Sequence, residues 1–147
     1  MLTRIDHIGI ACFDLDKTVE FYSGTYGFEV YHSEVNEEQG VREAMLRINA
    51  TDDGGASYLQ LLEPTRPDST VAKWLDKHGE GVHHIAFRVK DTKATEAALT
   101  GEGMPTLQQG LFIDGSGMYT YVDSAAQLGV MVELLENFPK KQLETVE

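Results

Sequence analysis

Four polar residues stand at matching places in two copies of one sequence pattern. Residues 5–14 and 81–91 each contain a histidine followed directly by an isoleucine, with an aspartate seven positions after the histidine. His7 therefore corresponds to His84. A second pair of matching motifs begins at Gln60 and at Glu133. Two imidazoles, an amide oxygen and a carboxylate suit a divalent metal ion, and an octahedral shell would still have two positions open for substrate or water. The repeat therefore predicts a metal site made of His7, Gln60, His84 and Glu133.

The neighbours of the two histidines favour an open pocket over a packed core. If residues 5–12 form a strand, His7 shares its face with Gly9, and in the second copy His84 shares its face with Ala86. Small neighbours leave space beside each imidazole, which a ligand needs and a well-packed core avoids.

The alternative is that these histidines are structural, which is the commoner role of a single histidine in a strand. Their recurrence in both copies, each with a polar residue at a matching position in a second apolar strand, favours the ligand role. We expect His83 to face away from the site and to be structural, and we expect no functional role for His32 or His78.

Each copy is predicted to form a β-α-β-β-β module within a single α+β domain, and the two modules would form one cupped mixed sheet around the metal. Asp14 and Asp91 are typical N-cap residues, and we expect Asp68 or Ser69 to cap a short helix between the modules. The first helix should end at Ser23-Gly24. The predicted boundaries are 4–63 for module one, 64–80 for the linker, 81–137 for module two and 138–147 for a loose tail. The predicted strands are 5–12, 28–35, 41–48, 58–62, 82–89, 107–111, 118–123 and 130–135, and the predicted helices are 15–22 and 92–100.

Composition excludes several classes of partner. The 147 residues include 12 basic and 24 acidic side chains, a net charge of −12, which argues against nucleic-acid or membrane-surface binding. No apolar run approaches the length of a membrane span. We expect no targeting segment before the first strand. The single cysteine, Cys12, suits a reducing compartment, so we expect a cytoplasmic protein.

The modules with His7, Gln60, His84 and Glu133 resemble the vicinal oxygen chelate superfamily, which includes glyoxalase I, extradiol dioxygenases and bleomycin-resistance proteins. Within this superfamily, the amino-acid sequences of residues 5–11, 58–64 and 81–87 resemble the corresponding motifs of the methylmalonyl-CoA epimerase family. The resemblance covers about residues 4–136 and implies the same four metal ligands.

The resemblance also implies the chemistry, which is epimerisation at C2 of methylmalonyl-CoA through a metal-stabilised enolate. We expect Co²⁺, with Ni²⁺, Mn²⁺ or Zn²⁺ as alternatives, an acyl-CoA as the small-molecule partner, and a homodimer. The coenzyme A phosphates have no clear partner, because Arg47, Arg66, Lys140 and Lys141 are all compatible with ordinary surface charges and no nucleotide-binding glycine loop is present.

A base is needed, and alternation in the strand 41–48 places Glu43 on the face opposite Ala44 and Leu46. On this pattern alone a solvated surface role for Glu43 is favoured over catalysis, whereas the resemblance implies catalysis, because the family places its candidate base at this position. Inversion also requires a second acid or base, for which Glu133 and a relaying water are the alternatives.

Three other functions share this fold. A glyoxalase I-like lyase would use a similar ligand set on a glutathione hemithioacetal, and substrate turnover separates it from an epimerase. An extradiol dioxygenase would use His7, His84 and Glu133 without Gln60. A metal-free protein that binds or sequesters a small molecule would need none of the four ligands.

Overall fold

The computed structural model describes residues 2–48, 56–124 and 129–139. Within these residues the chain forms two β-α-β-β-β modules joined by a helix, which confirms the predicted order of elements. The first module consists of β1 (Leu2–Ala11), α1 (Leu15–Tyr26), β2 (Glu29–Asn36), β3 (Val41–Ile48) and β4 (Ser57–Pro64). The joining helix α2 (Thr70–His78) is followed by β5 (Gly81–Val89), α3 (Thr92–Gly101), β6 (Thr106–Leu111), β7 (Gly117–Val122) and β8 (Met131–Asn137).

All eight strands belong to one curled, mixed sheet with the order β2-β3-β4-β1-β5-β8-β7-β6. The two modules meet where β1 pairs antiparallel with β5, and Ile8 faces Ile85 in that pair. On either side of this junction β1 pairs parallel with β4 and β5 pairs parallel with β8. The sheet therefore has an approximate twofold relation about its centre, which brings equivalent strands of the two modules together.

The helices cover one face of the sheet and bury its apolar residues. Leu15 of α1 packs with Leu46 and Leu61, and Val71 and Leu75 of α2 pack against Ala11, Val41 and Leu62 in a second cluster. The third helix covers a cluster on the second module that includes Val122 and Leu134. None of the helices in the described part of the chain is long and apolar enough to cross a membrane.

The predicted end of α1 at Ser23-Gly24 is wrong, because the helix continues to Tyr26. Gly24 lies inside the helix with open space around it, so the missing side chain removes no packing contact. The helix ends at Gly27, whose φ of 73° is left-handed and whose N–H donates to the Ser23 carbonyl.

The starts of the helices follow the predicted caps. The Asp14 carboxylate accepts a hydrogen bond from the Lys17 amide at 3.0 Å, and the Asp91 carboxylate accepts one from the Ala94 amide at 2.9 Å. Ser69, one of the two expected caps, starts α2. Each cap satisfies an amide that has no partner inside its helix.

A glutamate at the end of each module adds a second contact to a helix start. Glu63 Oε2 accepts a hydrogen bond from the Leu15 amide at 2.9 Å. At the equivalent place Glu136 Oε2 accepts one from the Thr92 amide at 2.8 Å and another from the Thr92 hydroxyl. These bonds tie α1 to β4 and α3 to β8, with a negative charge at the positive end of each helix.

Candidate metal centre

One row of paired residues across the sheet places Gln60 and His84 on either side of Gly9. Gly9 of β1 faces Gln60 of β4 and also faces His84 of β5. A Cβ atom added to Gly9 would lie 2.1 Å from Cε1 of His84, so the imidazole occupies the space above this glycine. Gly9, which the sequence pattern placed on the face of His7, thus provides the space for the ring of His84 across the strand pair.

The next row repeats this arrangement with the modules exchanged. Ala86 of β5 faces His7 of β1 and Glu133 of β8. Ala86 is fully buried, and its methyl group leaves room for the two longer side chains beside it. The two rows thus give each module one histidine and one amide or carboxylate on the same part of the sheet.

Three of the four predicted ligands converge closely. Nε2 of His7 lies 3.1 Å from Nε2 of His84 and 3.2 Å from Oε2 of Glu133, and Nε2 of His84 lies 3.1 Å from the same Oε2. All three side chains are buried. The three donor atoms therefore form a nearly equilateral triangle, and this group could hold a metal ion.

The triangle and the unpaired oxygen of Gln60 fit a divalent metal ion. Ligands at about 2.1 Å from a metal, at right angles to one another, lie about 3.0 Å apart, close to the sides of this triangle. Gln60 Oε1 is buried and has no hydrogen-bond partner among the residues that the structure describes, and Glu133 Oε2, also buried, faces the two histidine nitrogens of the triangle. A metal would satisfy the Gln60 oxygen, whose burial without a partner is otherwise costly, and would also bind the Glu133 oxygen.

The residue before each histidine contacts the other ring nitrogen, a feature that our reading of the sequence missed. Asp6 Oδ2 lies 2.8 Å from His7 Nδ1, and the Arg88 guanidinium donates to the other Asp6 oxygen at 2.8 Å. His83 Nδ1 lies 2.9 Å from His84 Nδ1. His83 was expected to face away from the site, but it is buried against His84. The signal available in the sequence was that both residues directly precede a candidate ligand.

The charges in the metal-free cluster are strongly coupled. Burial alone would lower the pKa of His7, but its bonds to Asp6 and Glu133 outweigh this effect and raise the pKa to about 9. Burial likewise opposes ionisation of Glu133, yet the two imidazoles hold the pKa of this carboxyl well below its usual range. Burial lowers the pKa of His84, which keeps that ring neutral. His7 therefore carries an additional proton at neutral pH, and a metal ion would displace it.

Glu43, the candidate base, lies next to the fourth predicted ligand. The Gln60 amide group donates a hydrogen bond from Nε2 to Glu43 Oε2 at 3.0 Å, which commits the amide nitrogen and leaves the amide oxygen for a metal. Burial and a hydrogen bond with Glu34 on the paired strand raise the pKa of Glu43 to about 8. A carboxylate with a raised pKa is a stronger base than an ordinary one.

Asp6, His7, Glu43, Gln60 and Glu133 line a cavity of about 480 Å³ that opens on the uncovered face of the sheet. Glu43, which the strand alternation placed on the face opposite Ala44 and Leu46, lines its first-module side together with Met45. Its other wall includes residues 111–114, from the last residue of β6 into the turn before β7, which carry exposed apolar side chains. Sequence reasoning missed this wall because the turn has no periodic pattern. His32, for which no role was expected, also lines the cavity, whereas His78 is exposed on α2.

Arg47 and Arg66, two of the basic residues considered for a coenzyme A handle, do not line the cavity. Arg47 pairs with Glu29 at 2.8 Å, and Arg66 pairs with Asp68 at 2.9 Å. Arg66 also donates to two backbone carbonyls of the β2–β3 turn. Residues 140–141 lie outside the described part of the chain.

The chain is similar to known proteins over most of its length. The model of the Glyoxalase/Bleomycin resistance protein/Dioxygenase superfamily matches residues 6–122. An ethylmalonyl-CoA/methylmalonyl-CoA epimerase from Cereibacter sphaeroides is 30% identical over 75% of this chain and 78% of its own length.

Solved structures of methylmalonyl-CoA epimerases match the fold. The E43Q variant from Streptomyces coelicolor, bound to 2-nitronate-propionyl-CoA, is 58% identical with a TM-score of 0.82, and the match covers 95% of this chain and 100% of that one. An epimerase bound to methylmalonyl-CoA and NH4+ is 60% identical with a TM-score of 0.81, covering 93% of this chain and 96% of that one. The Streptomyces coelicolor protein has also been solved as a Q60A variant, and this chain carries Glu43 and Gln60 at the same numbers.

Proposed function

We propose, since the chain belongs to the glyoxalase/bleomycin resistance protein/dioxygenase superfamily, that it is a metal-dependent methylmalonyl-CoA epimerase. The observation that carries this proposal is the buried triangle of His7, His84 and Glu133, with the unpaired oxygen of Gln60 and the buried carboxyl of Glu43 beside it. This is the arrangement that removal of a proton next to a carbonyl requires.

The metal would be held by the side chains of His7, Gln60, His84 and Glu133. We propose Co²⁺ as the ion, because no thiolate is present and a set of two imidazoles, an amide oxygen and a carboxylate suits a borderline divalent metal, with Ni²⁺, Mn²⁺ and Zn²⁺ as the alternatives. When bound, the metal supplies positive charge that stabilises an enolate as its negative charge develops on oxygen.

Glu43 is the proposed base that removes the proton from C2. The C–H bond breaks, its electron pair is delocalised towards the thioester oxygen, and the proton moves to a Glu43 oxygen. Gln60 holds Glu43 through the 3.0 Å hydrogen bond, which limits the rotation of the carboxylate. The pKa of about 8 brings Glu43 nearer to the basicity that the reaction needs than an ordinary glutamate would be.

Epimerisation is complete when a proton returns to C2 from the opposite face. We propose Glu133, or a water that relays a proton, as the acid for this step. A proton leaves one face and a proton arrives at the other, so no oxidant, reductant or further substrate is consumed. Glu133 lies on the second module, and Glu43 lies on the first module.

The cavity supports an acyl-CoA as the substrate, as in the relatives. Leu111, Phe112 and Ile113 give its outer wall an apolar character, and Leu111 and Ile113 are each 60% exposed. A bound acyl chain or pantetheine arm would cover these side chains and exclude water from the enolate. We propose that both modules act as one domain around this site, that the protein forms a homodimer, and that it works in the reducing cytoplasm, where its single cysteine would stay reduced.

Solvent deuterium incorporation at C2 of methylmalonyl-CoA tests the activity. Chelator-treated protein should give no exchange, and addition of Co²⁺ should restore it. Absence of exchange in fully metallated protein would overturn the epimerase activity, and turnover of a glutathione hemithioacetal by the same sample would then identify a glyoxalase I-like lyase. Failure to bind any divalent metal would favour the metal-free binding protein.

A further inference from the structure

The residues that precede the two candidate histidine ligands occupy equivalent positions in the repeat. Asp6 precedes His7 and contacts its Nδ1 atom at 2.8 Å, and His83 precedes His84 and contacts its Nδ1 atom at 2.9 Å. All four side chains are buried, with exposed fractions between 0% and 9%. The same contact with a ligand Nδ1 atom is therefore made in both copies, by side chains of different chemistry.

We propose that Asp6 and His83 are equivalent positioning residues, which hold the two ligand imidazoles with Nε2 towards the metal, and that they do so with unequal strength. This inference rests on the metal site of the proposed function. It concerns how the chain prepares that site and is independent of the substrate.

The positions of the protons follow from the geometry. An imidazole that binds a metal through Nε2 offers the lone pair of that atom, so its proton lies on Nδ1. His7 then donates from Nδ1 to the Asp6 carboxylate, and His84 donates from Nδ1 to His83. His83 accepts this bond only if its own Nδ1 carries no proton, which places the His83 proton on Nε2.

Each positioning residue is itself held in place. The Arg88 guanidinium donates to Asp6 Oδ1 at 2.8 Å and also to the Asn137 side chain, so that the carboxylate is fixed by charged and polar contacts. Aromatic rings surround His83 instead. The centre of its ring lies 5.1 Å from that of Trp74, and Tyr121 packs against it edge to face.

The two acceptors differ in charge, and this difference makes the ligands unequal. A carboxylate that accepts from Nδ1 increases the basicity of the ring, so His7 becomes the stronger donor. The neutral imidazole of His83 has a weaker effect, and His84 remains the weaker donor. Loss of Asp6 should therefore weaken metal binding more than loss of His83.

Co²⁺ affinity of the full chain, measured by titration of chelator-treated protein, tests this order. We expect Asp6→Ala to lower the affinity about 10–100-fold and His83→Phe to lower it by a smaller factor. Asp6→Asn and His83→Asn keep a neutral acceptor near the Nδ1 position and should recover part of each loss. Asp76→Ala and His78→Phe, at exposed positions of α2, are the matched controls and should bind as the unaltered protein does.

Imidazole proton positions give a second readout, first in the unaltered protein and then in one variant. In ¹⁵N-labelled protein loaded with diamagnetic Zn²⁺, long-range ¹H–¹⁵N spectra should show protons on Nδ1 of His7 and His84 and on Nε2 of His83. In folded His83→Phe protein, the His84 Nδ1 proton should exchange faster with water.

Two results would overturn the inference. A proton on Nε2 of His84 or on Nδ1 of His83 in the Zn²⁺-loaded protein contradicts the assigned contacts. Equal Co²⁺ affinity in the unaltered protein and all folded variants removes the positioning role while leaving the metal site intact. If the unaltered protein bound neither Co²⁺ nor Zn²⁺, the metal site of the proposed function would fall as well.

Discussion

The imidazole of His84 lies over Gly9, its partner across the β1–β5 pair, in the space that any side chain at position 9 would need. This relationship joins the two modules at the centre of the site. Because Gly9 has no side chain, the imidazole of His84 from the other module can pack directly against the backbone of β1.

Gly9→Ala should therefore displace His84. The added Cβ would lie 2.1 Å from the ring, so the ring or the strand must move, and we expect overpacking to cost about 1–3 kcal/mol together with a large loss of Co²⁺ affinity. Thermal unfolding and metal titration measure the two effects. Gly24→Ala is the control, because Gly24 lies in α1 with open space around it and alanine should stabilise the helix. Unchanged Co²⁺ binding in Gly9→Ala would contradict the close packing.

Glu43→Gln should stop proton removal without removing the metal. Glutamine keeps the size of the side chain and a hydrogen-bonding oxygen for Gln60, but it cannot accept the C2 proton, so we expect deuterium exchange to fall about 10²–10⁴-fold. Co²⁺ titration should give nearly the same affinity as for the unaltered protein. Glu102→Gln, at an exposed position after α3, should retain full exchange. A Glu43→Gln protein with normal exchange would remove this residue from the mechanism.

Glu34→Gln should shift the pH dependence of the reaction. Burial and the Glu34 carboxylate together raise the pKa of Glu43, so neutralising Glu34 should lower that pKa. The base form of Glu43 would then persist to lower pH, and the acid limb of the profile of kcat/KM against pH should move to lower pH. The same profile for Glu37→Gln, on the β2–β3 turn, provides the control. No shift, or a shift to higher pH, would contradict the coupling between the two carboxyls.

Metal binding should release a proton from His7. Because the His7 pKa is about 9 in the metal-free chain, the ring is protonated at neutral pH and must lose that proton to bind a metal. Apparent Co²⁺ affinity should therefore rise about tenfold per pH unit below pH 9 and level off above it. Calorimetry in buffers of different ionisation enthalpy counts the released protons. Affinity that is flat between pH 7 and about pH 8 would contradict the raised pKa.

Glu136→Ala should reduce stability without affecting the site. The change leaves the buried Thr92 amide at the start of α3 without its partner, and we expect a loss of about 1–2 kcal/mol in the free energy of unfolding. Urea denaturation of chelator-treated protein measures it, with Glu20→Ala on the exposed side of α1 as the control. Equal stability of the two variants would contradict the capping role.

Much of the fold could be predicted because the chain repeats itself. The matching positions of His7 and His84, and of Gln60 and Glu133, predicted both the order of the elements and the meeting of equivalent strands, which the β1–β5 pairing confirms. The small size of Gly9 also indicated free space beside the histidines, and in the structure the ring of His84 occupies that space.

The prediction of side-chain directions from strict alternation along a strand failed where the β1–β5 pairing is irregular. It placed His83 away from the site, whereas the β1–β5 pair has register shifts between Ile5 and His7 and between Gly9 and Ile10. Such irregularities turn side chains away from the regular faces of a strand, and they depend on the pairing of both strands together. The contacts of Asp6 and His83 with the ligand rings therefore could not be predicted from one strand at a time.

The central position of the β1–β5 pair has a thermodynamic consequence. Each half of the chain contributes two of the four proposed ligands, so the halves cannot separate without releasing the ion. Metal binding and docking of the two halves are therefore linked equilibria, and free metal at 100 times Kd would add about 2.7 kcal/mol to the stability of the docked state. The ion would hold the two modules together, so removal of the metal would lower the stability of the protein as well as abolish its activity.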